Sequence, residues 1–298
     1  MDTADPRPAI EGPELTWINV ALAFSFIVFN VVLSSVLRLD IGNSLLIASA
    51  RCVVQLGVVA LLLQKVFEAR DPWIVAAIVC VLNILGTFET VVNKSSRRHQ
   101  NMFASTLLGM MMSCVPVSIV GARFAMSLDP FWEPVQYIPI IGMLCGNTVS
   151  GIVVSGSYLL RELDVSRDKV EMYLAFGATR AEASKPIVIE ALRLALMPTI
   201  NQMSVLGIIS IPGMMTGAIL GGASVERAAK LQMIIMFMIC ASTALASMFT
   251  TLVALRVVVD NEHRIREDRV DNRPHVIWRL RGLLWMEFLT AMQRLFHI

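Results

Sequence analysis

The chain has 298 residues, 56% of them hydrophobic and 16% charged, with a formal net charge of +2 and a mean hydropathy of +0.67. Soluble domains carry roughly 45–50% apolar residues by a similar count, so this composition excludes an ordinary soluble domain. The nearly neutral balance gives no reason to expect a nucleic-acid partner.

Residues 1–14 are polar and acidic, with Arg7 the only base, a poor start for a signal peptide. Seven apolar runs follow: Leu15–Leu37, Ser44–Val66, Trp73–Val92, Phe103–Met126, Val135–Leu160, Leu194–Gly221 and Lys230–Val259. Each is long enough to cross the ~30 Å hydrocarbon core as a helix. The expected fold is all-α: a polytopic integral membrane protein of about seven transmembrane helices, lodged in the lipid bilayer over 15–259. Pro72 and Pro134 suit helix starts. The tail, 260–298, is highly charged up to His275. From Val276 to Ile298 it mixes aromatic and basic residues, as an interfacial helix or one packed on its own domain would.

Basic residues report the topology. Arg38, the cluster Lys94, Arg97 and Arg98, the central loop from Arg161 to Arg193, and the tail together hold eighteen Lys and Arg. The alternate connections and the N-terminus hold six, among them Arg70, Arg123 and Arg227. This asymmetry predicts an outside N-terminus and an inside C-terminus.

Arg51 and Glu89 stand inside apolar spans. On antiparallel neighbours their depths differ by only about one helical turn at ~1.5 Å per residue. They either pair within the membrane or reach separately to the headgroups. Gln55 lies one turn beyond Arg51.

The fifth and sixth spans flank the central loop, 161–193. The fifth contains Gly142, Met143, Cys145, Gly146, Asn147 and Thr148; the sixth contains Asn201, Pro212, Gly213, Met214, Met215, Thr216 and Gly217. G-x-x-x-G spacing at Gly142/Gly146 and Gly213/Gly217/Gly221 lets helix backbones approach closely. Helices broken near mid-membrane with polar groups mark binding sites in transporters. Met143, Cys145, Asn147, Thr148, Asn201, Met214, Met215 and Thr216 are therefore the candidate pathway residues; cross-helix packing is the alternative. The 18 methionines and five cysteines include soft metal ligands or apolar filler. No zinc spacing, phosphate loop, Ser-His-Asp set or H-E-x-x-H helix occurs, so no catalytic residue is assigned.

The central loop reads as two short helices with a hinge. Ser166 can cap the first, and Asp168 sits in its first turn. Gly177 can take the left-handed conformation that ends a helix, and Thr179 with Glu182 fits a capping box that starts the next. Such an elbow suits docking to a partner, or it is an amphipathic connector lying on the membrane. Tyr173, Phe176 and Arg180 are the expected contacts.

Ala175-Phe176-Gly177-Ala178-Thr179-Arg180, with Glu171 four residues before Ala175, resembles the cytoplasmic loop of ABC-transporter permeases, although Met172 and Tyr173 replace two alanines of that pattern. A more specific set is Arg51 to Leu56, Cys145 to Gly151, Leu174 to Arg180, and Ile211 to Gly217 with Leu220-Gly221-Gly222. Together these are similar to one small permease family, which includes the bacterial iron-export permease FetB and the plant aluminium-sensitivity permease. The resemblance covers most of 15–260. It implies an inner (plasma) membrane permease subunit that pairs as a homodimer with a separate ABC ATPase and exports iron. ATP-Mg would sit on that ATPase, with no cofactor on this chain. The expected coupling residues are Glu171, Tyr173, Ala175, Phe176, Gly177, Ala178, Thr179 and Arg180. A sugar nucleotide or other organic solute is the alternative substrate. A membrane scaffold or sensor that recruits a soluble partner is the alternative of another class.

Overall fold

A computed structural model describes residues 16–39, 41–69, 71–95, 97–260, 266 and 269–271. The expected interfacial helix at 276–298 and the polar segment 1–14 lie outside the described residues. Nearly all the rest is helix: α1 (Trp17–Val36), α2 (Gly42–Ala69), α3 (Pro72–Phe88), α4 (Met102–Val120), α5 (Pro134–Val165), α6 (Arg167–Ala175), α7 (Arg180–Val205), α8 (Gly213–Leu220) and α9 (Val225–Val258). α3 and α4 each run on into a π-helical turn, Glu89–Lys94 and Gly121–Ala125. A two-residue ladder joins β1 (Arg98–His99) to β2 (Val270–Asp271).

Local chemistry explains the starts. Asp71 caps α3 by accepting from the Trp73 amide at 2.9 Å, with Pro72 at the first helical position. Pro134 opens α5 in the same way, and Ser224 caps α9 by accepting from the Arg227 amide at 3.3 Å. Ser166 does not cap α6. Its hydroxyl donates to Glu162 Oε1 at 2.6 Å, back into the helix that precedes it.

Among the described residues, six helices are long and apolar enough to cross a membrane: α1, α2, α3 and α4 with their π-turns, α5 and α9. The protein is thus an all-α polytopic membrane protein. The sixth expected span, Leu194–Gly221, is not one helix. α7 begins upstream at Arg180 and carries Lys185 and Glu190 in its first half and Arg193 just past its midpoint. It ends at Val205, the chain turns through 206–212, and α8 supplies only eight more residues. Gly207 has φ +83°, which a right-handed helix cannot continue, and Pro212 then presets the entry to α8.

α9 is the centre of the bundle and packs against α4, α5, α7 and α8. Glycines permit this closeness, but at other positions than the repeat spacing indicates. A Cβ at Gly151 of α5 would fall 2.5 Å from Thr243 Cγ2, and one at Gly109 of α4 would fall 2.8 Å from Thr250 Cγ2. At Gly121 it would collide with Met238 Sδ. Gly142, Gly146, Gly213 and Gly217 have open space within the chain, so their spacing does not serve its internal packing. Small hydroxyl residues on α9 complete the seam, the usual membrane substitute for hydrophobic association.

Two apolar clusters result. The larger surrounds Ile141, Leu144 and Ile152 of α5 with Ile235 and Ile239 of α9. The smaller joins Leu159 and Leu163 of α5, Leu174 of α6, Ala191 of α7 and Val258 of α9. Arg97 closes this second end, donating to Asp164 Oδ2 at 2.8 Å and to the Leu160 carbonyl at 3.2 Å. Because it gathers the central loop and the α3–α4 connection, we call it the basic end. α1 and α2 form a hairpin on the flank. None of the span-length window of α2 is buried, and Leu63, Val66 and Phe67 touch the main cluster.

Candidate functional site

The elbow at the basic end has a defined geometry. Val170 and Leu174 bury one face of α6 against α5 and α7, which fixes its direction. The Gly177 amide donates to the Leu174 carbonyl at 3.0 Å and the Ala178 amide to the Tyr173 carbonyl at 3.1 Å. With Gly177 at φ +88°, this is a Schellman ending. The next helix starts two residues on. Thr179 Oγ1 accepts from the Glu182 amide at 3.3 Å, and Glu182 Oε2 accepts from the Thr179 amide at 2.8 Å. These bonds from the Thr179 amide and hydroxyl hold the Glu182 carboxyl below its ordinary range. The turn is therefore specified on both sides of Gly177 and has little freedom to adopt another shape.

This scaffold displays apolar side chains away from the bundle. Phe176 is 84% exposed, and Met172 and Tyr173 are exposed beside it. Ala175 is exposed, while Ala178 and Arg180 are half-buried against the bundle. Glu171 is committed to its own helix, accepting from Arg167 Nε at 2.8 Å. Behind the elbow lies a groove of about 150 Å³ lined by Tyr158, Glu162, Lys169, Tyr173 and Ile187.

Arg51 and Glu89 are brought together. Arg51 Nη2 lies 2.9 Å from Glu89 Oε2, which also accepts from Asn93 Nδ2. The carboxylate stands at the first residue of the π-helical turn of α3, where the wider backbone departs from ideal spacing. Gln55 of α2 is exposed one turn away.

The expected pathway residues separate onto different faces. Met143 and Asn147 are half-buried on α5, on one side with the exposed Gly146 and Ser150. Asn147 Nδ2 donates to the Met143 carbonyl at 2.9 Å. Cys145 and Thr148 point to the opposite side and are buried in the core. There Cys114 Sγ of α4 lies 3.5 Å from Thr148 Oγ1, which lies 3.5 Å from Ser242 Oγ of α9. The α5 helix thus has a small polar outer face and a sulfur- and hydroxyl-bearing inner one. Asn201 and Thr216 are exposed, and Met214 and Met215 are half-buried at the α7–α8 break. Thr216 Oγ1 bonds back to the Pro212 carbonyl at 3.2 Å.

Two features escape sequence reading. Ser118 and Tyr137 bond at 2.8 Å between α4 and α5, but nothing in their spacing marks them as neighbours. His99 is buried at the basic end, with Nδ1 2.8 Å from the Gln100 carbonyl. Burial lowers its pKa, because the charged ring would be desolvated. Among the described residues no group of three or more His, Cys, Asp or Glu could hold a metal ion.

The family described as "Uncharacterised protein family (UPF0014)" matches residues 17–259. The chain belongs to the UPF0014 family. The match ends at the end of α9, so the whole helical bundle is the family unit and the charged tail falls outside it. Among relatives of this UPF0014 protein, the UPF0014 membrane protein slr1647 of Synechocystis is 31% identical over 254 residues, 84% of this chain and 96% of the relative. The "Probable iron export permease protein FetB" of Escherichia coli is 25% identical, covering 83% of this chain and 93% of its own length. Protein ALUMINUM SENSITIVE 3 of Arabidopsis thaliana is 28% identical, covering 78% and 84%. No solved structure matches the chain.

Proposed function

We propose that this UPF0014 protein is the membrane permease subunit of an ABC transporter, working as a homodimer with a separate ATPase and exporting a metal ion such as iron. The N-terminus lies outside, the basic end lies inside, and the membrane is the inner (plasma) membrane. The chain itself is not an enzyme. ATP-Mg is bound and hydrolysed on the partner subunit.

The observation that carries this reading is the elbow. A doubly capped turn that holds Phe176 84% exposed, on a helix anchored through Val170 and Leu174, is a rigid knob joined directly to α5 and α7. A force applied there reaches both helices that bear the polar candidate residues. Exposed aromatic side chains on a rigid support are favoured anchors at protein interfaces. The open space at Gly142 and Gly146 on the polar outer face of α5 supports pairing of two copies around a pathway. FetB, named as an iron export permease, supports the cargo.

The test is co-expression with an ABC ATPase encoded beside the gene, followed by co-purification and reconstitution into vesicles. A stable complex whose hydrolysis is stimulated by ferrous iron, with iron moved out of the ATPase-bearing side, is the expected result. No ATPase retained on the permease would overturn the reading. Stimulation by a sugar nucleotide and not by iron would keep the transporter and replace the cargo.

A further inference from the structure

The break between α7 and α8 leaves a cavity of about 250 Å³ against the first turns of α9. Gly207 and Pro212, which make the break, both line it, so the turn that ends α7 also builds the wall. Methionines line it from three elements: Met203 of α7, Met215 of α8, and Met233 and Met236 of α9. Met236 is buried, Met203 and Met215 are half-buried, and Met233 stands at the exposed rim. Phe237 lines the cavity too. Among the described residues Gln232 is the one polar side chain in the lining, and its Oε1 is buried without a hydrogen-bond partner among them.

Met236 belongs to the main apolar cluster and Met203 packs against it, and with Met215 and Met233 they also border one common space. The thioether is a polarisable, uncharged donor that selects soft ions, Cu(I) above all. Among the described residues no Asp, Glu, His or Cys lines the space, so a hard divalent ion would find neither anionic charge nor preferred ligands. A soft monovalent ion carries less charge to desolvate and exchanges its weakly held water for sulfur. A buried carbonyl oxygen without a donor is also a ready acceptor toward a cation.

We propose that this cavity binds a soft monovalent cation, Cu(I) or Ag(I), through the sulfurs of Met203, Met215, Met233 and Met236, with Gln232 Oε1 as an auxiliary oxygen donor. The site needs no ATPase and no second copy. It shares Met215 with the expected pathway residues, and its donors differ in kind from those that favour iron.

The experiment uses the full chain purified in detergent micelles. Ag(I) binding is measured by equilibrium dialysis with metal analysis, and Cu(I) coordination by X-ray absorption under anaerobic conditions. The expected result is about one tight equivalent with sulfur scatterers around copper. The double variant Met203→Leu/Met236→Leu keeps volume and apolarity, so the fold should persist. Its affinity should fall at least tenfold. The double variant Cys114→Ser/Cys145→Ser removes the buried thiols of the core and should bind as the native chain does. Loss of binding in the cysteine variant with full binding in the methionine variant would overturn the proposal and move the ion to the thiols. Absence of stoichiometric binding in the native chain would overturn it as well.

Discussion

Arg51 on α2 and Glu89 at the start of the π-turn of α3 form an ion pair of 2.9 Å. The pair ties the sparsely packed α1–α2 hairpin to the bundle near the basic end, while Leu63, Val66 and Phe67 hold the same helix further along. Within a bilayer either charge alone is costly, and each makes the other tolerable.

Neutralising one member should therefore harm more than neutralising both, relative to additivity. Arg51→Gln and Glu89→Gln should each lower the yield of folded protein. The double variant should recover part of that loss, with a coupling of about 0.5–3 kcal/mol for residues in contact. Thermal inactivation in detergent, read by size-exclusion chromatography, gives the values. Strictly additive losses would make the two residues independent.

Phe176→Asp and Gly177→Val separate the two roles of the elbow. Phe176 is 84% exposed, so its replacement should leave thermal stability unchanged and weaken association with the ATPase at least tenfold. A Cβ added at Gly177 would find open space, but the residue has a φ of +88°. Backbone strain of about 1–3 kcal/mol is the cost at that angle, and it should reshape the turn. Retained ATPase binding and coupled hydrolysis in both variants would reduce the elbow to a connector.

Glycine substitutions should divide by location. Gly151→Ala forces α5 and α9 apart, because Thr243 Cγ2 and Ser247 Oγ stand 2.5 and 2.9 Å from the added carbon. Overpacking of this kind costs about 1–3 kcal/mol and should lower the melting temperature. Gly146→Ala enters open space and should leave the monomer's stability intact while weakening pairing of two copies. Equal destabilisation of the monomer by both would contradict the packing described above.

His99 predicts a pH response at the basic end. Its folded pKa lies below the ordinary 6.5, because burial disfavours the charged ring. The opened state takes up a proton that the packed state refuses. The contribution is thus fully present above about pH 6.5 and is lost as pH falls toward the lowered folded value. The protection factor of the Gln100 amide, which donates to the Arg269 carbonyl at 3.0 Å, should fall on acidification once the slowing of the intrinsic rate is divided out. His99→Phe should remove that fall. An unchanged pH dependence in the variant would exonerate the histidine.

Membrane residence, helical class and the elbow were all legible in the chain order, because each depends on neighbours in sequence. Long apolar runs can satisfy their backbone in lipid only as helices. Asp71-Pro72, Gly177 and the Thr179–Glu182 box act within a turn of themselves, so their chemistry does not wait for the fold. The ion pair was foreseeable from depth on adjacent antiparallel helices. What tertiary structure alone decided concerns faces and breaks. Cys145 and Thr148 turn inward while Asn147 turns outward on one helix, and that rotation is set by α9, about ninety residues further along. Gly109, Gly121 and Gly151 lie outside any G-x-x-x-G repeat yet make the close crossings, whereas Gly142, Gly146, Gly213 and Gly217, which have that spacing, stand in the open. The run Leu194–Gly221 is apolar enough to suggest a span, but a positive φ at Gly207 splits it, and hydropathy carries no information about a backbone angle. That break, placed against α9, is also what collects four methionines around one cavity, since residues 203 and 236 become neighbours only when the bundle closes.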